Sequence, residues 1–122
     1  MPTTNEHISK AIHNSLFSNH LKSSTNEYSD WVVTVYFYTA LHLIDAYLAT
    51  LGKHPPSHHS RDTHIQRVSG LREIYPDYRD LEDLSRDARY TTRVVDQQDI
   101  QDSEVSLIAI RNHIRPSFPG EI

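Results

Sequence analysis

The run from Trp31 to Leu51, WVVTVYFYTALHLIDAYLATL, constrains this chain more than any other stretch. Its apolar residues fall on every side of a helical wheel, which is the pattern of a helix covered by neighbours all round. The rest of the chain therefore reads as its wrapping. Three polar side chains interrupt the run, Tyr38, His42 and Asp45, at i, i+4 and i+7, so they stack along one face. That stripe predicts one wall of any site the protein has. The run is long enough to span a membrane, yet it contains His42, Asp45, Thr34, Thr39 and Thr50. A mid-bilayer Asp alone costs roughly 2.5–3.5 kcal/mol on insertion scales. The expectation is a buried core helix with no membrane partner.

A chain of 122 residues suits one domain, residues 1–122, with a single core. The absence of cysteine excludes thiol nucleophiles and zinc ribbons. MPTTNEHISK at the start has no charged segment followed by an apolar run, so a cytoplasmic location is expected. A net charge of −4 argues against a basic protein that coats nucleic acid. The cations are unevenly placed: all nine arginines lie between Arg61 and Arg115, and the lysines are Lys10, Lys22 and Lys53. Arginine's planar fork suits bidentate contact with phosphate or carboxylate. The same arginines alternate with Asp and Glu, which equally fits solvated helix faces.

Helical signals run the length of the chain. Thr3-Thr4-Asn5-Glu6 matches a capping box and opens a first helix at Thr3 or Thr4. Ile8, Ile12 and Leu16, with Ala11 and Phe17 beside them, form its apolar face to about Lys22, with His7, His13 and His20 reading as solvent-facing as readily as anything else. A second box, Ser24-Thr25-Asn26-Glu27, starts the central helix, which Gly52 and Pro55-Pro56 stop. A third helix is expected from Ser60 to Tyr75, ended by Tyr75-Pro76. A fourth runs from Asp77 to about Thr92, with Tyr78, Leu81, Leu84, Ser85 and Ala88 inward and Arg79, Glu82, Asp83 and Arg86 outward. A polar connection over 93–102 precedes a last helix capped by Asp102 or Ser103, apolar at Val105, Leu107, Ile108, Ile110 and Ile114, and ended before Arg115-Pro116. No segment alternates with a strand's period. The fold class is all-α, an up-and-down bundle of four or five helices.

Two constellations carry chemistry. His54, His58, His59 and His64 cluster around a proline-broken loop, and His42 adds an imidazole from a second element, as metal sites in helical bundles do. A metal-dependent enzyme using His42 with His58, His59 or His64 is one reading; polar cover for the end of the bundle is another. The second constellation sets Tyr38, His42 and Asp45 against Arg61, Arg86, Arg89 and Tyr90. A buried Asp45 needs an arginine partner. Arginine and histidine facing a phosphodiester while tyrosine stacks on a base is the combination that single-stranded RNA recognition favours.

TVYFYTALHLIDAYL, then HPPSHHSRDTHI, then YPDYRDLEDLSRDARY resemble the HEPN family (higher eukaryotes and prokaryotes nucleotide-binding). Its small bundles often carry an aromatic pair followed by Ala-x-His in a core helix, a loop with His and Arg, and a late Leu-Ser-x-x-Ala-Arg-Tyr-like turn. The likeness spans about Tyr28 to Ile114. It implies a homodimer that acts on RNA or a nucleotide in RNA processing, defence or toxin–antitoxin systems, with a protein partner such as an antitoxin and no cofactor. Nuclease members of the family cleave RNA without metal through Arg-x4–6-His. Arg111-Asn112 begins such a motif, but Pro116, Ser117 and Phe118 stand where its histidine is expected. A nuclease here would need a rearranged site with His42, Arg61 and His64 as its proton-transfer and phosphate-stabilising groups, and Tyr38, Asp45, His58, His59, Arg86, Arg89 and Tyr90 around the substrate. Without those roles, the same bundle is a non-catalytic interaction module.

Overall fold

Thr3 opens the fold as its sequence predicts. Its Oγ1 accepts from the Glu6 amide at 3.1 Å while its own amide donates to Glu6 Oε1 at 3.1 Å, and α1 (Thr4–Ser24) follows. The structure, a computed structural model, describes residues 1–24, 28–118 and 120, with side chains of residues 23 and 24 excepted. The Ser24 to Glu27 capping box lies outside the described residues. α2 (Ser29–Thr50) ends as expected, because Gly52 takes φ +73°. The Gly52 and Lys53 amides then donate to the Ala49 and Leu48 carbonyls, a left-handed cap that glycine enters at little steric cost.

α3 is His58–Arg67, capped by Ser57 Oγ, which accepts from the Ser60 amide at 3.1 Å. It opens two residues before the expected start and stops eight before the expected end. The break comes at Val68 to Leu71, where the chain passes Gly70 close against Tyr47 of α2, leaving no room for a β-carbon. A short 3-10 turn, Arg72–Ile74, leads directly into α4, Tyr75–Tyr90. Tyr75-Pro76 therefore begins a helix rather than ending one: proline sits in the first turn, where its missing N–H has no intrahelical partner to lose. α5 is Gln97–Ile114, capped by Asp96 in a reciprocal pair with Asp99, so the connection expected over 93–102 is helical for most of its length. Five α-helices and no strand occur among the described residues.

α2 lies in the middle, packed on α1, α4 and α5; α4 also packs on α5, and α3 rests lightly on α4. Phe37, Ile44, Leu48, Tyr78, Ile110 and Ile114 are sealed in the core, and each such side chain stabilises the fold by roughly 1.5–3 kcal/mol. By length and composition α2 could cross a membrane, and 78% of its most apolar window is buried inside the fold.

The outer helices bury only part of the faces their apolar spacing suggests. α1 packs through His7, Ala11 and Ser18, and leaves Ile12, Leu16 and Phe17 exposed. α5 buries Ile100, Ser103, Ser106, Leu107, Ile110 and Ile114 and leaves Val105 and Ile108 exposed. Glu82, expected on the solvent face of α4, is buried.

Candidate functional site

Tyr38, His42 and Asp45 do share one side of α2, but their partners come from three different helices. Asp45 pairs with Arg61 of α3: Arg61 Nε donates to Oδ1 at 2.7 Å and Nη2 to Oδ2 at 3.0 Å. Both side chains are nearly sealed from water, 7% and 10% exposed. Burial opposes the charge on Arg61, and the hydrogen bonds and charge of Asp45 more than offset it, so its pKa lies above the ordinary value. The third nitrogen, Nη1, sits 3.4 Å from His58 Nδ1. With both carboxylate oxygens on it, Arg61 is a clamp between α2 and α3.

Tyr38 turns to α4, where its hydroxyl accepts from Arg89 Nη1. The Arg89 guanidinium carbon lies 5.3 Å from the Tyr38 ring centroid, 5.2 Å from that of Tyr90 and 5.7 Å from that of Phe37, within cation–π range of all three. Arg89 Nε also donates to the Ser85 carbonyl at 3.2 Å. Tyr90 is 76% exposed. Arg86, one turn before it, is exposed, as are His58 and His59. Burial first, then the charges of Arg61 and Arg89, lower the His58 pKa, so its ring is neutral at pH 7.

His42 turns the other way. Its Nδ1 lies 3.0 Å from Nδ1 of His7 on α1, and both pKa values are lowered, chiefly by burial. The sequence leaves open whether His7 faces solvent, and the fold buries it. Its signal was its position four residues before Ala11, the small residue at which α1 approaches the core. Of the residues expected to serve as proton-transfer and phosphate-stabilising groups, Arg61 is engaged by Asp45 and His42 by His7 of α1. Among the described residues, no group of three or more His, Asp or Glu side chains is arranged to hold a metal ion.

A second buried cluster adjoins the clamp. Arg79 Nη1 donates to Glu82 Oε1 at 2.7 Å and to Asp62 Oδ2 at 3.2 Å. The remaining oxygens, Asp62 Oδ1 and Glu82 Oε2, are buried without a donor. Burial, then the charge and hydrogen bond of Asp62, push the Glu82 pKa up to about 7. A proton held on Glu82 lets one carboxyl group donate to the other and removes the deficit. Neither carboxylate stood out in the sequence: Glu82 sits in an i, i+4 pair with Arg86 that reads as solvated, and Asp62 lies beside Arg61 with no apolar pattern marking it as buried.

Fold and site together define an all-α bundle whose central helix presents a polar stripe to arginines of α3 and α4. No protein-family model, curated protein or solved structure matches the chain.

Proposed function

We propose that this chain is a HEPN-like bundle that binds single-stranded RNA on the face formed by Tyr38, His58, His59, Arg86, Arg89 and Tyr90. The supporting observation is Arg89, its guanidinium carbon 5.3 and 5.2 Å from the Tyr38 and Tyr90 ring centroids, with Tyr90 open to solvent. A base stacked on the free face of Tyr90 extends that pile, and the exposed Arg86 meets the adjoining phosphate. The neutral ring of His58 and the exposed His59 add hydrogen-bonding edges. Arg61 contributes by fixing the start of α3, and its charge is neutralised by Asp45. The reading is of binding rather than cleavage, since no arginine has a histidine at the family's spacing and the Arg61 charge is taken up by Asp45. A cytoplasmic homodimer serving RNA processing, defence or a toxin–antitoxin pair is the setting we propose for it; light scattering on the purified protein tests the dimer.

The test is fluorescence anisotropy with a labelled single-stranded RNA of about 12 nucleotides over a range of salt. Tyr90→Ala should weaken binding by the value of one stacked base, about 1–3 kcal/mol or roughly fivefold to 150-fold, with an unchanged salt slope. Arg86→Ala should reduce the log–log salt slope by about 0.7, one phosphate contact on a single strand. RNA affinity indifferent to both substitutions removes the proposal.

A further inference from the structure

A concavity lies on the far side of α2, and nothing in the RNA reading uses it. It is a cleft of about 830 Å³ between α1 and α5, lined by Ile12, Leu16, Leu107 and Ile108 with Tyr36, Ser15, Glu104, Arg111 and Arg115 among its polar residues. Tyr36 precedes Tyr38 by two residues, about 200° around a helix, so the cleft and the arginine stack face opposite ways. Its size falls in the range of small-ligand sites, about 300–1,000 Å³.

Beside the buried Leu107, the apolar wall consists of side chains that helical spacing assigns to the core and the fold leaves outside it: Ile12 at 39%, Leu16 at 66% and Ile108 at 43% exposure. The charges are unequal. Glu104 is satisfied, accepting from Lys22 Nζ at 2.6 Å and from the Tyr36 hydroxyl at 3.1 Å. Arg111 is not. Its Nη2 donates to Ser15 Oγ at 2.9 Å, while its Nε is buried with no acceptor. Arg115 reaches Asn112 Oδ1 at 3.3 Å, and among the described residues neither arginine pairs with a carboxylate. Burial, then the like charge of Arg115, depress the Arg111 pKa. A cation withdrawn from water without a counter-ion is costly, and an anion that supplies one is stabilised in turn.

We infer that the α1/α5 cleft binds a small amphipathic carboxylate, its carboxyl group on Arg111 with Arg115 beside it and its apolar body along Ile12, Leu16 and Ile108. A carboxylate in the cleft supplies the guanidinium of Arg111 with the counter-charge it lacks among the described residues, with the Ser15 hydroxyl as a further donor.

Isothermal titration of the purified protein tests this with three probes: decanoate below its micelle concentration, decanol, and acetate. Decanoate should bind, and decanol and acetate should each bind at least about fivefold more weakly, because each lacks one half of the match. Arg111→Gln should weaken decanoate by about fivefold or more. Should that variant fail to fold, Leu16→Glu decides: position 16 is exposed, so the fold tolerates the change, and a carboxylate on the cleft wall should weaken decanoate to the same degree. Absence of decanoate binding, decanol binding as well as decanoate, or an effect below fivefold in the deciding variant overturns the proposal.

Discussion

Removing one member of the Asp45–Arg61 pair should cost far more than removing both. The two side chains are 7% and 10% exposed and joined by two hydrogen bonds of 2.7 and 3.0 Å, so water cannot take over for a missing partner. Arg61→Met leaves Asp45 as an unpaired buried carboxylate, and Asp45→Leu leaves an unpaired buried guanidinium. Each should destabilise by about 3–5 kcal/mol, a large share of the roughly 5–15 kcal/mol that holds a domain folded. At about 4 °C per kcal/mol for a chain of this size, the melting temperature should fall by roughly 12–20 °C. The double substitution Asp45→Leu with Arg61→Met replaces the pair by apolar groups of similar bulk, and it should recover most of that loss or exceed the wild type. Lys22–Glu104 provides the contrast: its side chains are 46% and 38% exposed, and Lys22→Ala should cost less than about 1 kcal/mol. Urea denaturation of the four variants, followed by far-ultraviolet circular dichroism, measures all of these. A cost below about 1 kcal/mol for Arg61→Met, or a double variant as unstable as the two singles combined, would show that the clamp is solvated and that Arg61 is free for other work.

Glu82 should make the protein less stable as pH rises. Its folded pKa of about 7 exceeds the unfolded carboxyl value, so the folded state holds the extra proton; the stability this gives is complete below about pH 4.5 and lost as pH climbs through 7. The shift corresponds to on the order of 3 kcal/mol, and Glu82→Gln should flatten the wild-type fall across that window in pH-resolved urea titrations. The His7–His42 contact has the opposite sign. Both folded pKa values are depressed, so the contribution is present above pH 6.5 and lost on acidification through the folded pKa values. His42→Gln should therefore lose less stability than the wild type between pH 7 and pH 5, and equal losses would refute the burial of this pair. At the end of α2, Gly52→Ala should cost about 1–2 kcal/mol, since φ of +73° places a β-carbon against the following carbonyl; an unchanged melting curve would count against that cap. Thr3→Ala should cost about 1 kcal/mol through loss of the first capping box, read by the same melts.

The amino-acid order alone determined what local rules govern. The all-round oiliness of residues 31–51 makes α2 the centre, because only a helix covered on every side can be apolar on every side. The Thr3–Glu6 box and Gly52 set ends that depend on neighbours a few residues away, and both stand where the spacing puts them. The need of Asp45 for an arginine was legible too, since a buried charge demands a partner. Which arginine met it, and which way its neighbours turned, belonged to the tertiary structure. Tyr38, His42 and Asp45 point into one arc of α2, yet α4, α1 and α3 each claim one of them, and that division is fixed by how the helices cross. Packing also overruled periodicity: α1 buries His7 and Ser18 and leaves Leu16 in water, and α4 draws Glu82 inward beside Asp62. Such choices rest on contacts between residues tens of positions apart, whose energies no local pattern records, and they decide where this protein keeps its polar sites.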